Sequence, residues 1–68
     1  MTATDVIGML AEDLAVELRP RPEAERELRA PDLFALLHLD LLWARIYREP
    51  TEAELAELVE RTKALLSV

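Results

Sequence analysis

The sequence predicts an all-α protein: a small bundle of three main helices, at about 5–18, 31–48 and 51–67, with a short helix at 22–29, the bundle being completed by oligomerisation. Three observations predict it. Apolar residues recur three and four apart along most of the chain, the spacing of one helix face. Four prolines, Pro20, Pro22, Pro31 and Pro50, cut the chain into helix-length segments. Fourteen Leu and ten Ala, both strong helix formers, stand against a single Gly and no Asn.

The first helix is expected over 5–18. Thr4 is its expected N-cap, and Asp5 suits the positive end of the helix dipole. Ile7, Leu10, Ala11, Leu14 and Leu18 share one face, with Asp5, Glu12 and Arg19 roughly opposite. Gly8 lies beside Ala11 and Ala15 in a strip of small side chains, which would let another backbone approach or is simply tolerated near a fraying end. Met9 and Val16 form a minor apolar stripe on the polar side, a second contact point.

Arg19-Pro20-Arg21-Pro22 ends that helix and reads as a short stiff linker at 19–22, since each proline pushes its predecessor towards extended geometry. Its arginines are expected to pair with neighbouring carboxylates. The weak helix 22–29 would start with Pro22 at its first position. Its one large apolar residue is Leu28, so its packing should be slight.

The helix 31–48 is apolar nearly all round. Leu33, Ala35, Leu36, Leu37, Leu39, Leu42, Trp43, Ala44, Ile46 and Tyr47 cover more than half of its wheel, and only a narrow sector with His38, Arg45 and Arg48 is polar. Such a helix is buried on more than one side. The helix 51–67 carries a capping box, Thr51 with Glu54 three residues on. Leu55, Leu58, Val59, Thr62, Leu65 and Leu66 make its core stripe, and Glu57 and Arg61 are an i,i+4 pair.

At 68 residues the chain is one helical domain, 1–68. The flanking helices can cover two sides of 31–48, which leaves part of its apolar arc bare. A chain this small gains about 3–5 kcal/mol from its core and needs a staple. There is no Cys for a disulfide, and the sequence offers no metal site. Association is the remaining staple. The expected partner surface is Leu36, Leu39, Asp40, Trp43 and Tyr47, with Met9 and Val16 as the second contact. The partner is a second copy, as a homodimer or higher oligomer, or a larger protein.

Composition excludes other classes. A net charge of −6 repels the phosphate backbone and argues against nucleic acid. No apolar run approaches the length of a membrane span, and the first residues lack a basic leader segment, so no membrane is expected and a cytoplasmic location is. Seven Arg against one Lys, without Asn or Gln, suggest a GC-rich or thermophilic bacterial source. With one His, one Ser near the end and one Gly, no catalytic, cofactor-binding or metal-ligating set is assigned.

Single residues carry the sharper expectations. Asp40 projects into the apolar arc, so it should have a partner, such as an arginine of this or another subunit, or an altered pKa. His38 reads as a half-exposed edge histidine, with a pH-sensitive interface as its alternative. Leu33-Phe34-Ala35-Leu36-Leu37 matches LxxLL and reads as core.

Glu49-Pro50-Thr51-Glu52-Ala53-Glu54-Leu55-Ala56-Glu57-Leu58 resembles the opening segment of the small epsilon subunits of actinobacterial acyl-CoA carboxylases, over about a seventh of the chain. A Pro-Thr capping box followed by Leu, Ala and Glu is common in helices, and no family is assigned from it.

The sequence reading is therefore a non-enzymatic protein–protein interaction module: a small accessory subunit, adaptor or regulator. The alternatives are an acidic inhibitor or antitoxin-type partner of a larger protein, a component of a phage or other multi-subunit particle, and, last, an enzyme with an intersubunit site around Asp40, His38, Arg45 and Tyr47.

Overall fold

The computed structural model describes residues 1–67. These form three α-helices, α1 (Ala3–Leu18), α2 (Ala30–Trp43) and α3 (Glu52–Leu66), with a one-turn 3₁₀ helix at Glu23–Glu25 and no strand. None of the described helices is long and apolar enough to cross a membrane.

α1 starts two residues earlier than its periodicity suggests. Its N-cap is Thr2, not Thr4: the Asp5 N–H donates to Thr2 Oγ1 at 3.2 Å and the Thr2 N–H donates to Asp5 Oδ2 at 3.1 Å. This reciprocal box satisfies two groups that a bare helix start leaves unpaired. The same bonds hold the Asp5 carboxyl below its ordinary pKa.

Among the described residues the linker arginines, Arg19 and Arg21, do not make the expected carboxylate pairs, and arginines bind main-chain carbonyls here instead. Arg26, presented by the 3₁₀ turn, donates from Nε to the carbonyls of Leu18 and Arg21, at 3.1 and 2.9 Å, and from a terminal nitrogen to that of Arg19 at 2.8 Å. Arg19 reaches across to the Leu65 carbonyl at 3.1 Å, near the end of α3. Cations thus sit on the negative ends of two helices, where the last carbonyls have no helical partner. The expected helix 22–29 is only this single turn. Leu28 is nonetheless half-buried against the core.

α2 ends at Trp43, five residues short of the expected 48. Arg45 adopts φ 64° and Tyr47 φ 52°, both in the left-handed region. The Arg45 N–H donates to the Leu42 carbonyl and the Ile46 N–H to that of Leu41. Those two bonds, with a left-handed residue between them, are a Schellman stop. α3 keeps its expected capping box, Glu54 N–H to Thr51 Oγ1 at 3.2 Å and Thr51 N–H to Glu54 Oε1 at 2.9 Å. Arg48 closes on Glu54 with two bonds, at 2.7 and 2.6 Å.

The core gathers Val6, Ile7, Leu10, Ala11 and Leu14 of α1, Leu33, Leu37 and Leu41 of α2, and Leu58 of α3. α1 and α3 form the most extensive helix pair, and α2 lies against both more lightly. Gly8 sits in the α1–α3 crossing. What approaches it is the Arg61 side chain rather than a backbone: a Cβ on Gly8 would lie 2.9 Å from an Arg61 terminal nitrogen. Arg61 is held there by Glu57 at 3.0 Å. Thr62, buried in α3, spends its hydroxyl on the Leu58 carbonyl at 2.7 Å.

Candidate partner interface

The functional candidate grows out of how α2 packs. Leu33, Leu37 and Leu41 recur every four residues and point into the core. That stripe takes up about a third of the helix circumference. Most other positions of α2 are apolar as well, Asp32, His38 and Asp40 excepted, so burying one stripe leaves a second apolar face outside. Phe34, Leu36, Leu39, Leu42 and Trp43 are all exposed, Leu39 at 61% and Trp43 at 90%. In the chain by itself α2 is therefore buried on one side, not on several. Of the LxxLL residues, Leu33 and Leu37 are core, whereas Phe34 and Leu36 are surface.

The patch extends onto α1. Met9 lines one shallow groove with Val6, Trp43 and Ala44. Val16 lines the next depression along, with Leu36. The minor stripe of α1 and the bare face of α2 thus run side by side. Tyr47, in the loop beyond α2, is also exposed, at 72%.

Two carboxylates border this surface. Asp40 is half-buried and shares the groove with Asp13 of α1. Neither forms an ion pair among the described residues, where the pairs are Arg29–Glu27, Arg48–Glu54 and Arg61–Glu57. Among the described residues no arginine makes the expected pair with Asp40. Partial burial, and next the charge of Asp13, push the Asp40 carboxyl above its ordinary pKa. Asp13 was not singled out from the sequence. The signal was there: it stands four residues after Met9 and three before Val16, on the same flank of α1.

His38 lies on the opposite side of α2, about 200° from Asp40 around the helix axis. Its ring stacks on Phe34, with centroids 6.2 Å apart and planes 11° from parallel. It is half-buried, and its Nδ1 is enclosed without a hydrogen-bond partner. The groove that holds Asp40 contains none of His38, Arg45 and Tyr47. Within one chain those four residues are not brought together. No group of three or more His, Asp or Glu among the described residues stands close enough to hold a metal ion.

What the arrangement offers chemically is a broad dehydrating surface with anionic edging, and no gathered set of reacting groups. No family model matches the chain, and neither a curated protein nor a solved structure matches it.

Proposed function

We propose that this chain is a non-enzymatic protein–protein interaction module, a small accessory subunit, adaptor or regulator, whose working surface is the outward face of α2 with the Met9 and Val16 flank of α1. The observation that carries this reading is Trp43. A 90% exposed Trp, set among exposed Leu36, Leu39 and Leu42, has no structural reason to be there in a lone chain. Contiguous apolar surface of this kind marks interaction sites, and Trp is the residue type most often found at their energetic centres.

The experiment pairs mass in solution with a capture control. Light scattering of the wild type and of Leu39→Asp is compared at high micromolar concentration, and both proteins are used as bait in a lysate of the source. Leu39 is exposed, so the substitution should leave the fold intact by circular dichroism. The reading requires either an oligomer that Leu39→Asp dissociates or a protein captured only by the wild type. A folded wild-type monomer that captures nothing beyond what Leu39→Asp captures would sink it.

A further inference from the structure

We infer that the occupant of this surface, if α2 docks a partner as proposed above, is a basic amphipathic helix of another protein, one of whose Arg or Lys side chains enters the groove between Asp13 and Asp40. The inference rests on charge complementarity within an apolar face. Whatever covers Trp43 also takes water away from Asp40 and Asp13, which line the same groove as Trp43. Two carboxylates desolvated side by side without a cation are costly. A guanidinium or ammonium between them removes that cost, and charge-assisted bonds to carboxylates are among the stronger hydrogen bonds. The walls suit the rest of such a side chain. Val6, Met9 and Ala44 can cover an aliphatic stem, and the bare Trp43 indole offers a face to a cation.

A second copy of the chain fits less well. α2 contains no Lys or Arg, so packing two α2 faces together brings no cation from either helix. It sets two −6 chains against each other instead. Most of the cations are already committed. Arg19 and Arg26 bind main-chain carbonyls, while Arg29, Arg48 and Arg61 pair with glutamates. Arg21, Arg45 and Lys63 are left, and Arg45, next to the end of α2 in the chain, is the one through which a second copy could compete.

The test uses Trp43, the only Trp in the chain, as its own reporter. Two synthetic helical peptides are titrated against the full chain. Both have a leucine stripe at i, i+3, i+4 and i+7; one has Arg and the other Glu at the positions flanking it. The inference expects a blue shift and saturable binding with the Arg peptide, at least tenfold weaker binding with the Glu peptide, and at least a tenfold loss for Asp13→Asn/Asp40→Asn. Leu39→Asp should abolish binding of both. Equal binding of the two peptides, lost in Leu39→Asp, would overturn the charge inference and leave the docking reading standing. A dimer that excludes both peptides and dissociates on Arg45→Ala would make a second copy the occupant and overturn the inference. A monomer that binds neither peptide would count against the inference and the docking reading together.

Discussion

The Ile46 N–H donates to the Leu41 carbonyl at 2.9 Å, and this bond fixes where α2 stops. Leu41 is fully buried, and Ile46 packs on the same core. The apolar contact that accompanies a Schellman stop is therefore drawn from the core itself. The residue that makes the turn, Arg45, sits at φ 64° with a Cβ that disfavours this geometry. Arg45→Gly should relieve that strain and stabilise the chain by about 0.5–1 kcal/mol. Urea denaturation of both proteins checks it. A destabilised Gly variant would mean that the Arg45 side chain makes a contact worth more than the strain.

Arg48 and Glu54 tie the following loop to the start of α3. The Arg48 guanidinium, then the Thr51 N–H, lower the Glu54 carboxyl from its ordinary 4.5 to about 2. A folded-state pKa below the unfolded one contributes stability that is present above about 4.5 and lost as pH falls towards 2. Glu54→Gln should cost about 1 kcal/mol at neutral pH, since the outer part of the pair is exposed to water. The difference from wild type should shrink through the acid range. Thermal midpoints of both proteins between neutrality and strong acid give the curve. A gap that stays constant with pH would mean that the charge of the Glu54 carboxylate contributes nothing and that the loss comes from the shape of the amide side chain alone.

Gly8 gives a prediction whose sign follows from what its missing Cβ would meet. The near atom, 2.9 Å away, is the far end of the flexible Arg61 side chain. That end can move by a few tenths of an ångström at little cost, whereas Ala is favoured over Gly in a helix interior by about 1 kcal/mol. Gly8→Ala should therefore stabilise, or at worst leave stability unchanged. Gly8→Leu adds bulk that must push Arg61 out of the crossing and should be less stable than Gly8→Ala by about 1 kcal/mol or more. Chemical denaturation of the pair separates an elastic neighbour from a rigid one.

These sites show which parts of the molecule were readable beforehand. The helix-forming stretches were, because the 3.6-residue pattern and a Thr-x-x-Glu box are local signals. Thr51 and Glu54 hold the geometry their spacing suggests. The start of α1 was misplaced because Asp5 fills the role usually given to Glu or Gln, which moved the expected cap from Thr2 to Thr4. The end of α2 was missed because its left-handed position carries Arg45, not the Gly that normally announces it. The stop therefore depends on a long-range fact, the burial of Ile46 and Leu41. The bare face of α2 was legible as an excess of apolar arc. Leu36, Leu39 and Trp43 were expected on it and are exposed, but its extension to Phe34 and Leu42 was not legible, since periodicity does not say that only the narrow stripe of Leu33, Leu37 and Leu41 faces inward. The place of Asp13 on the Met9 and Val16 flank was legible from its spacing, but its meeting with Asp40 was legible only once α1 and α2 were known to be neighbours.

Trp43 and Asp40 divide folding from binding. For a Trp buried in a core, truncation to Ala costs about 3–5 kcal/mol. At 90% exposure Trp43 contributes little to the fold, so Trp43→Ala should change the stability of the isolated chain by less than about 0.5 kcal/mol. Asp40 should behave in the opposite sense to an ordinary ion-paired carboxylate. Its pKa is raised in the folded chain, first by burial and then by Asp13. The ionised carboxylate therefore detracts from stability, and the penalty shrinks as pH falls through the folded value and is gone below the ordinary 3.8. Asp40→Asn should leave the isolated chain unchanged or slightly more stable at neutral pH, by less than about 0.5 kcal/mol. Both variants should weaken partner binding, Trp43→Ala through lost apolar contact and Asp40→Asn through the lost charge. The two effects part with salt. Raising ionic strength should narrow the gap between wild type and Asp40→Asn without closing it, because salt weakens the attraction of a basic partner but screens a pair desolvated in the groove less than one in water. It should leave the Trp43→Ala deficit in place. Denaturation curves of the three isolated proteins, with Arg-peptide titrations at low and high salt, read out every arm. A Trp43→Ala chain that unfolds by itself would put the indole inside the fold and remove the exposed face on which the partner surface stands.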